Sequence, residues 1–440
     1  VVLLKVKRQE FCKAMTAPTA FRVTRLRVRA RRARMGRVFA CALSGAVPAL
    51  AAQQVAPAPD VDPIGEYLTA IERAESLGGA YAAELVDLYY GMGQSLLEQG
   101  DMEAARDALY RTVMVARVNA GPNSLEQTPY LYSIADLELR LGNRSGAIDV
   151  LDNIYLIHAR HYGEDNPALL PTVEKIYDWY VDQLSPAAVP LLPADLQNLS
   201  YLMARAAALT EAEYGLGDAR TALRYRELGQ IHYHAIRYFT QTGQSPNPEL
   251  VLPSEGSSNL ALLEQATIDH LKAGEAAFER AVLAWRENPA ATDLERAEAM
   301  AELGDWYLVF KYFRKARRQY EEAYRLLAHS DDYRGLAESY LGVPAPLRFL
   351  NREERFARDL SPAPAGGLEV SMAVSLTGRL YDVEIVRAPE ALSPEQLTAL
   401  KSHLESTRFR PAVVNGRSQS VSGYVWKALA QDSEDLPWSG

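Results

Sequence analysis

The sequence predicts a mainly α protein: an α-solenoid of stacked helical hairpins, followed by a small α+β domain of ββαβ order. Three observations carry this. Residues 86–180 repeat at a spacing of 42: Gly100 returns as Gly142, Gly121 as Gly163, Ala105 as Ala147, Leu109 as Leu151, Tyr90 as Tyr132, Pro129 as Pro171 and Asp136 as Asp178. A fixed period in this range marks units that cannot bury an apolar face alone and do so by stacking. Residues 64–341 are rich in Ala, Leu, Glu, Arg and Tyr at helical spacing, whereas beyond residue 367 the apolar period drops to two.

The elements follow in order. Within each repeat a first helix ends at Gly100 or Gly142, since glycine tolerates the left-handed cap. A second helix carries Ala105 or Ala147, then Leu109 or Leu151, and a Gly/Pro/Asn loop breaks the chain at residues 120–124 and 162–167. An insertion at Ser185–Pro193 lengthens the third unit, and a Pro/Ser/Gly stretch at Gln241–Ser258 interrupts the fourth. Residues 342–365, with Pro344, Pro346, Pro362 and Pro364, read as a linker. Leu368, Val370, Met372 and Val374 then alternate with polar or small residues, Thr377-Gly378-Arg379 turns the chain, and Tyr381, Val383 and Ile385 alternate again. A helix starts at Ser393-Pro394-Glu395 and buries Leu397, Leu400 and Leu404; residues 409–414, an Asn415-Gly416 turn and Val421–Ala428 supply the last strands.

Charge is unevenly spread. The net charge is -9, but setting aside the Arg-rich first 37 residues lowers the 47 basic and 56 acidic residues to 35 and 55. So acidic a body is repelled by phosphate backbones, which argues against a nucleic-acid partner. From Met35, a basic start, an apolar run Val38–Val47 and Pro48-Ala49-Leu50-Ala51 have the layout of a cleaved signal peptide, cut near Ala51. Residues 1–34 then lie upstream of the native start, and residues 52–63 form a tether. The competing reading takes residues 1–51 as an Arg-rich transit segment. The apolar run is too short for a transmembrane helix. Cys12 and Cys41 both precede the cut, leaving a mature chain without thiol chemistry.

The repeats resemble the tetratricopeptide repeat. The best match is Ala299–Leu308 with residues 313–323: Leu303, Gly304 and Tyr307 take the first-helix positions, and Ala316, Tyr320 and Ala323 those of the second. Small residues let the helices approach and the aromatic fills the gap. Glu138 departs from the pattern, standing where an aromatic is usual. The loop Gly163–Pro167 is similar to the longer-helix variant of kinesin light chains. The resemblance implies about five helix pairs in a right-handed superhelix. It also implies a concave peptide groove lined by Tyr90, Gln94 and Glu98, by Tyr132, Asp136 and Arg140, and by Asp305 and Leu308. The competing role for Tyr90 and Tyr132 is packing between repeats.

Residues 366–431, with Gly378 and the run Arg408-Phe409-Arg410-Pro411-Ala412 before Gly416, resemble the C-terminal domain of TonB-type energy transducers. That family pairs a strand with a transporter peptide at the outer membrane, which implies a Gram-negative periplasm. The pairing edge here is Val421, Gly423 and Val425, unless Lys427 and the acidic tail, residues 432–440, protect it.

Motifs of catalysis are sparse. His158 and His161 sit three apart on a helix, a two-ligand spacing that more simply reads as helix-end polar residues. His232 and His234 are two apart and face different ways. Gly91-x-Gly93 lies inside a helix, and Gly215-Leu-Gly217 lacks a third glycine. Lys311, Arg314, Lys315 and Arg318 form a basic stripe at helical spacing, a docking face for an acidic partner or a lipid headgroup, or a solvated face paired with Glu321, Glu322 and neighbours. The expectation is a non-enzymatic, cofactor-free and metal-free periplasmic adaptor for protein or peptide partners. The alternative is an energy transducer or accessory for outer-membrane transport, anchored in the inner membrane.

Overall fold

The structure, a computed structural model, describes residues 63–183, 193–242, 256–347, 368–388 and 394–428. The expected signal peptide, the segment before it, the acidic tail and most of the linker and insertions lie outside these residues. The protein is mainly helical, with small sheets near the C-terminus. It divides into two compact units at Thr172/Val173.

The first unit holds α1 (Pro63–Gly78), α2 (Leu85–Gln99), α3 (Met102–Ala120), α4 (Thr128–Arg140), α5 (Arg144–Tyr162) and the start of α6 (Leu170–Gln183). The 42-residue repeat is a repeat of geometry. Gly100 and Gly142 take φ 85° and 77°. Each corner closes with the same two bonds, Asp101 N–H to Leu96 and Gly100 N–H to Leu97, then Asn143 N–H to Glu138 and Gly142 N–H to Leu139. Asp101 and Asn143 cap the next helices, accepting from the N–H groups of Ala104 and Gly146. At the far end Gly121 and Gly163 break α3 and α5, and Ser124 and Asn166 cap the short 3-10 turns Leu125–Gln127 and Pro167–Leu169. Gly93 faces Leu109 so closely that a Cβ would stand 3.0 Å from its Cδ2. Ala105, Leu109, Ile134, Ala135, Ala147 and Leu151 are fully buried.

The second unit continues α6 and adds α7 (Pro193–Tyr214), α8 (Ala219–Thr242), α9 (Gly256–Glu287), α10 (Asp293–Val309), α11 (Phe313–His329) and α12 (Arg334–Tyr340). Thr292 and Glu295 form a capping box that starts α10. Every residue of α10 from Ala299 to Leu308 is buried. A Cβ on Gly304 would meet the Tyr320 ring at 2.4 Å, so the glycine is what admits that ring. Ala316, Tyr320, Ala323 and Leu327 form the inward stripe of α11.

After α12 come β1 (Ala345–Pro346), β2 (Leu368–Val374), β3 (Leu380–Arg387), α13 (Pro394–Ser406), β4 (Phe409–Arg410), β5 (Ala412–Val414), β6 (Arg417–Gln419) and β7 (Val421–Ala428). The order contains the expected strand, strand, helix, strand. The main sheet is antiparallel with order β3-β2-β7. Its core comprises Leu368, Val370, Met372, Val374, Leu380, Val383, Leu404 and Phe409.

Two expectations need correction. Tyr381 points outward, 44% exposed, and Leu380 is buried in its place. Asp382, at φ 52°, lies where β3 gains an extra residue against β2, and such a bulge switches which side chains face the core. The expected linker also begins too early. Ala345 and Pro346 pair with Arg410 and Phe409, Leu347 is buried, and Val413 N–H donates to the Leu341 carbonyl at 2.7 Å. The start of that segment is woven into the C-terminal fold.

Candidate functional site

Strand alternation in β4 sends neighbouring side chains to opposite sides. Phe409 joins the core of the main sheet. Arg410 instead enters the helices, 1% exposed. Its Nε and Nη2 donate to Asp305 Oδ1 and Oδ2 at 3.0 and 2.7 Å. Tyr320 donates its hydroxyl to the same Asp305 Oδ1 at 2.9 Å, and the guanidinium lies 5.4 and 5.5 Å from the Tyr320 and Tyr340 ring centres. Burial, then the Asp305 charge, pushes the Tyr320 phenol far up, so it stays a donor. The arrangement leaves Asp305 with a bidentate guanidinium and a phenol, the complement a buried carboxylate needs.

The β2–β3 turn and the β5–β6 hairpin complete this contact. Gly378 has φ 73°, and a Cβ there would stand 2.5 Å from the Phe409 carbonyl oxygen and 2.9 Å from Leu308 Cδ2. Asn415 and Gly416 turn β5 into β6 with φ 51° and 73°, as an Asn-Gly hairpin requires. The Ser418 N–H donates to Glu321 Oε1 at 3.0 Å, and Val413 joins the helical core.

Asp305 and Leu308, expected on an open groove, are therefore 0% exposed beneath the C-terminal strands. The equivalent face in the first unit is different. Tyr90 is half-buried, its ring 5.0 Å from Tyr130 and its hydroxyl 3.3 Å from Ser133 Oγ, so it packs across α2 and α4 while keeping part of its surface. Gln94 and Tyr132 are half-buried; Glu98, Asp136 and Arg140 are exposed. Measured back from each corner residue (Gly100, Gly142, Lys311), Gln94, Asp136 and Asp305 occupy one position of the hairpin.

Glu138, the residue that breaks the repeat pattern, is 2% exposed. It accepts from the Tyr110 hydroxyl at 3.0 Å and from Asn143 Nδ2 at 2.7 Å, with Arg106 Nε at 3.7 Å. A carboxylate at an aromatic position was the sequence signal for this network.

Among the described residues β7 stands at the edge of the main sheet and pairs with β2 on one side only. Val425 is 41% exposed. Gly423, however, has φ 66° and sits where β7 carries an extra residue between Val421 and Tyr424. Such a bulge interrupts an edge, so of the three expected residues Gly423 is not a regular pairing position. Lys427 reaches across to Glu369 at 3.2 Å.

The histidines are engaged by the fold. His158 Nε2 and Nδ1 lie 2.9 and 2.8 Å from the Thr128 and Thr172 hydroxyls, and burial lowers its pKa. His161 is exposed beside the Tyr162 ring. His232 Nδ1 is 2.8 Å from His270 Nδ1 on α9, a pairing that spacing along one helix does not reveal. Among the described residues no group of three His, Cys, Asp or Glu side chains is placed to hold a metal ion. The basic stripe is also broken. Lys311 lies outside the helix at φ 66°, and Lys315 pairs with Glu275 of α9 at 2.6 Å, not with Glu321 or Glu322.

These features define a mainly α protein whose last helical hairpin carries a small β-rich module. No helix among the described residues is long and apolar enough to cross a membrane. No protein-family model matches the chain, and no curated protein matches it. Among solved structures the chain is similar to BtubC (BKLC) from P. vanneervenii at a TM-score of 0.26 and 15% identity, over 60% of this chain and 89% of that one. A likeness of that size carries no argument.

Proposed function

We propose that this protein is an exported, non-enzymatic adaptor of tetratricopeptide type with a TonB-like C-terminal module, holding protein or peptide partners in a periplasm. The export assignment rests on the signal layout at residues 35–51. The observation that carries the binding reading is Arg410 on Asp305: the position expected to face a groove already holds a guanidinium from an extended strand. Asp136, at the same hairpin position in the first unit, is exposed near the half-buried Tyr132 and Tyr90. An extended peptide with an arginine or lysine suits that face: the aromatic surface supplies contact area and the carboxylate sets register.

Fluorescence anisotropy with labelled peptides tests this. Arg-containing extended peptides are expected to bind better than their Glu-substituted counterparts, and Asp136→Lys and Tyr132→Ala are each expected to weaken binding about tenfold, or about 1.4 kcal/mol. Equal binding by both peptide classes and by both variants refutes the groove.

The side of β7 that pairs with no described strand, with Val425 exposed, favours a second mode in which the module accepts a partner strand as an energy transducer does. An uncleaved, membrane-embedded N-terminus in cells supports that mode; a mature N-terminus near residue 52 argues for the adaptor.

A further inference from the structure

A cavity of ≈ 560 Å³ opens between the α10–α11 corner, the β2–β3 turn and the residues just before β4. Three cations line it: Lys311, Arg379 and Arg408. Among the described residues its one carboxylate is Glu405, which is exposed and makes no ion pair with any of them. Several other cations of this unit are paired, Lys315 with Glu275, Arg226 with Glu302, Arg280 with Glu211 and Arg410 with Asp305. Lys311 and Arg379 are exposed at its rim and Arg408 is half-buried, so in a protein with more acidic than basic side chains three cations converge on one cavity.

The backbone gives a second, independent observation. Lys311 N–H donates to the Leu308 carbonyl and Tyr312 N–H to that of Tyr307, the same pair of bonds that close the Gly100 and Gly142 corners. Lys311 thus fills a left-handed position that the sister hairpins give to glycine, at φ 66°. It does so with no side-chain cap at Tyr312, where the sisters have Asp101 and Asn143. Local rules broken in this way concentrate where a side chain is needed for a task.

Arg379 and Arg408 face each other across an isolated antiparallel bridge. Arg408 is held in place, its Nη1 donating to the Thr377 carbonyl at 2.6 Å and its guanidinium lying 5.7 Å from the Phe313 ring centre. Burial, then the Arg379 charge, lowers its pKa.

We propose that this cavity binds a small multivalent oxyanion, bearing phosphate or carboxylate oxygens, with Arg379 and Arg408 as fork donors and Lys311 as the third cation. The proposal is independent of the peptide groove. Isothermal titration of the full chain at fixed ionic strength tests it, with sodium pyrophosphate and sodium citrate as probes. Saturable one-to-one binding of either is expected, and the tighter of the two identifies the phosphate or the carboxylate chemistry. Arg379→Gln and Arg408→Gln are each expected to weaken binding at least tenfold. Lys311→Gly separates charge from folding, because it removes a cation and relieves the left-handed corner. It is expected to raise the ligand-free melting temperature while weakening binding about tenfold. Absence of saturable binding by both probes, or unchanged affinity in Lys311→Gly, overturns the site.

Discussion

Asp305 and Arg410, 105 residues apart in sequence, form a two-bonded ion pair with side chains 0% and 2% exposed. This contact joins the β-rich module to the last hairpin and covers the face that carries Asp305 and Leu308. A buried pair of this kind contributes little net stability but is costly to break from one side, because the survivor is left charged in an apolar setting.

Asp305→Asn and Arg410→Met are each expected to lower unfolding stability by about 3–5 kcal/mol. The double replacement Asp305→Leu with Arg410→Met is expected to recover much of that loss. Urea denaturation of the three variants reads the non-additivity; additive losses contradict the coupling.

Gly378→Ala is expected to destabilise the contact by more than about 1 kcal/mol, from the left-handed conformation alone. The added Cβ also meets the Phe409 carbonyl oxygen at 2.5 Å, and backbone cannot swing aside. A thermal midpoint equal to wild type counts against this close approach.

Acid is expected to weaken the second unit through His232 and His270. Burial, then the neighbouring His270 charge, holds His232 well below the usual imidazole range, and burial pushes His270 down to about 4. Unfolding returns both to about 6.5. Below that pH the unfolded chain takes up protons that the folded one refuses, so their contribution is intact above pH 6.5 and is lost progressively as pH falls toward 4. Urea midpoints at pH 7 and pH 5 should differ in wild type and differ less in a His232→Leu/His270→Leu variant.

Glu138→Leu removes the acceptor of the Tyr110 hydroxyl and the Asn143 amide, both of which water can reach, and a loss of about 0.5–1.5 kcal/mol is expected. Burial, then the Glu138 hydrogen bond, pushes Tyr110 up to about 12. Ultraviolet titration of Glu138→Gln should find that phenol nearer its ordinary value, by the part Glu138 supplies.

Much of the helical architecture was legible because its causes are local. Gly100 and Gly142, with Asp101 and Asn143 behind them, announce corners that any chain of this sequence would favour. The Asn415-Gly416 turn and the alternation of Leu368, Val370, Met372 and Val374 are likewise short-range signals. The bulges at Asp382 and Gly423 are not legible in the strands themselves, because register depends on the partner strand.

The amino-acid order alone therefore determined the period of the hairpins, their caps, and the switch from helical to strand spacing, since each follows from backbone preferences within a few residues. Only the tertiary structure decided that Asp305 and Leu308 are covered, that His232 meets His270, and that Lys311, Arg379 and Arg408 converge on one cavity. Burial and charge pairing act through space, and no window along the chain contains both partners.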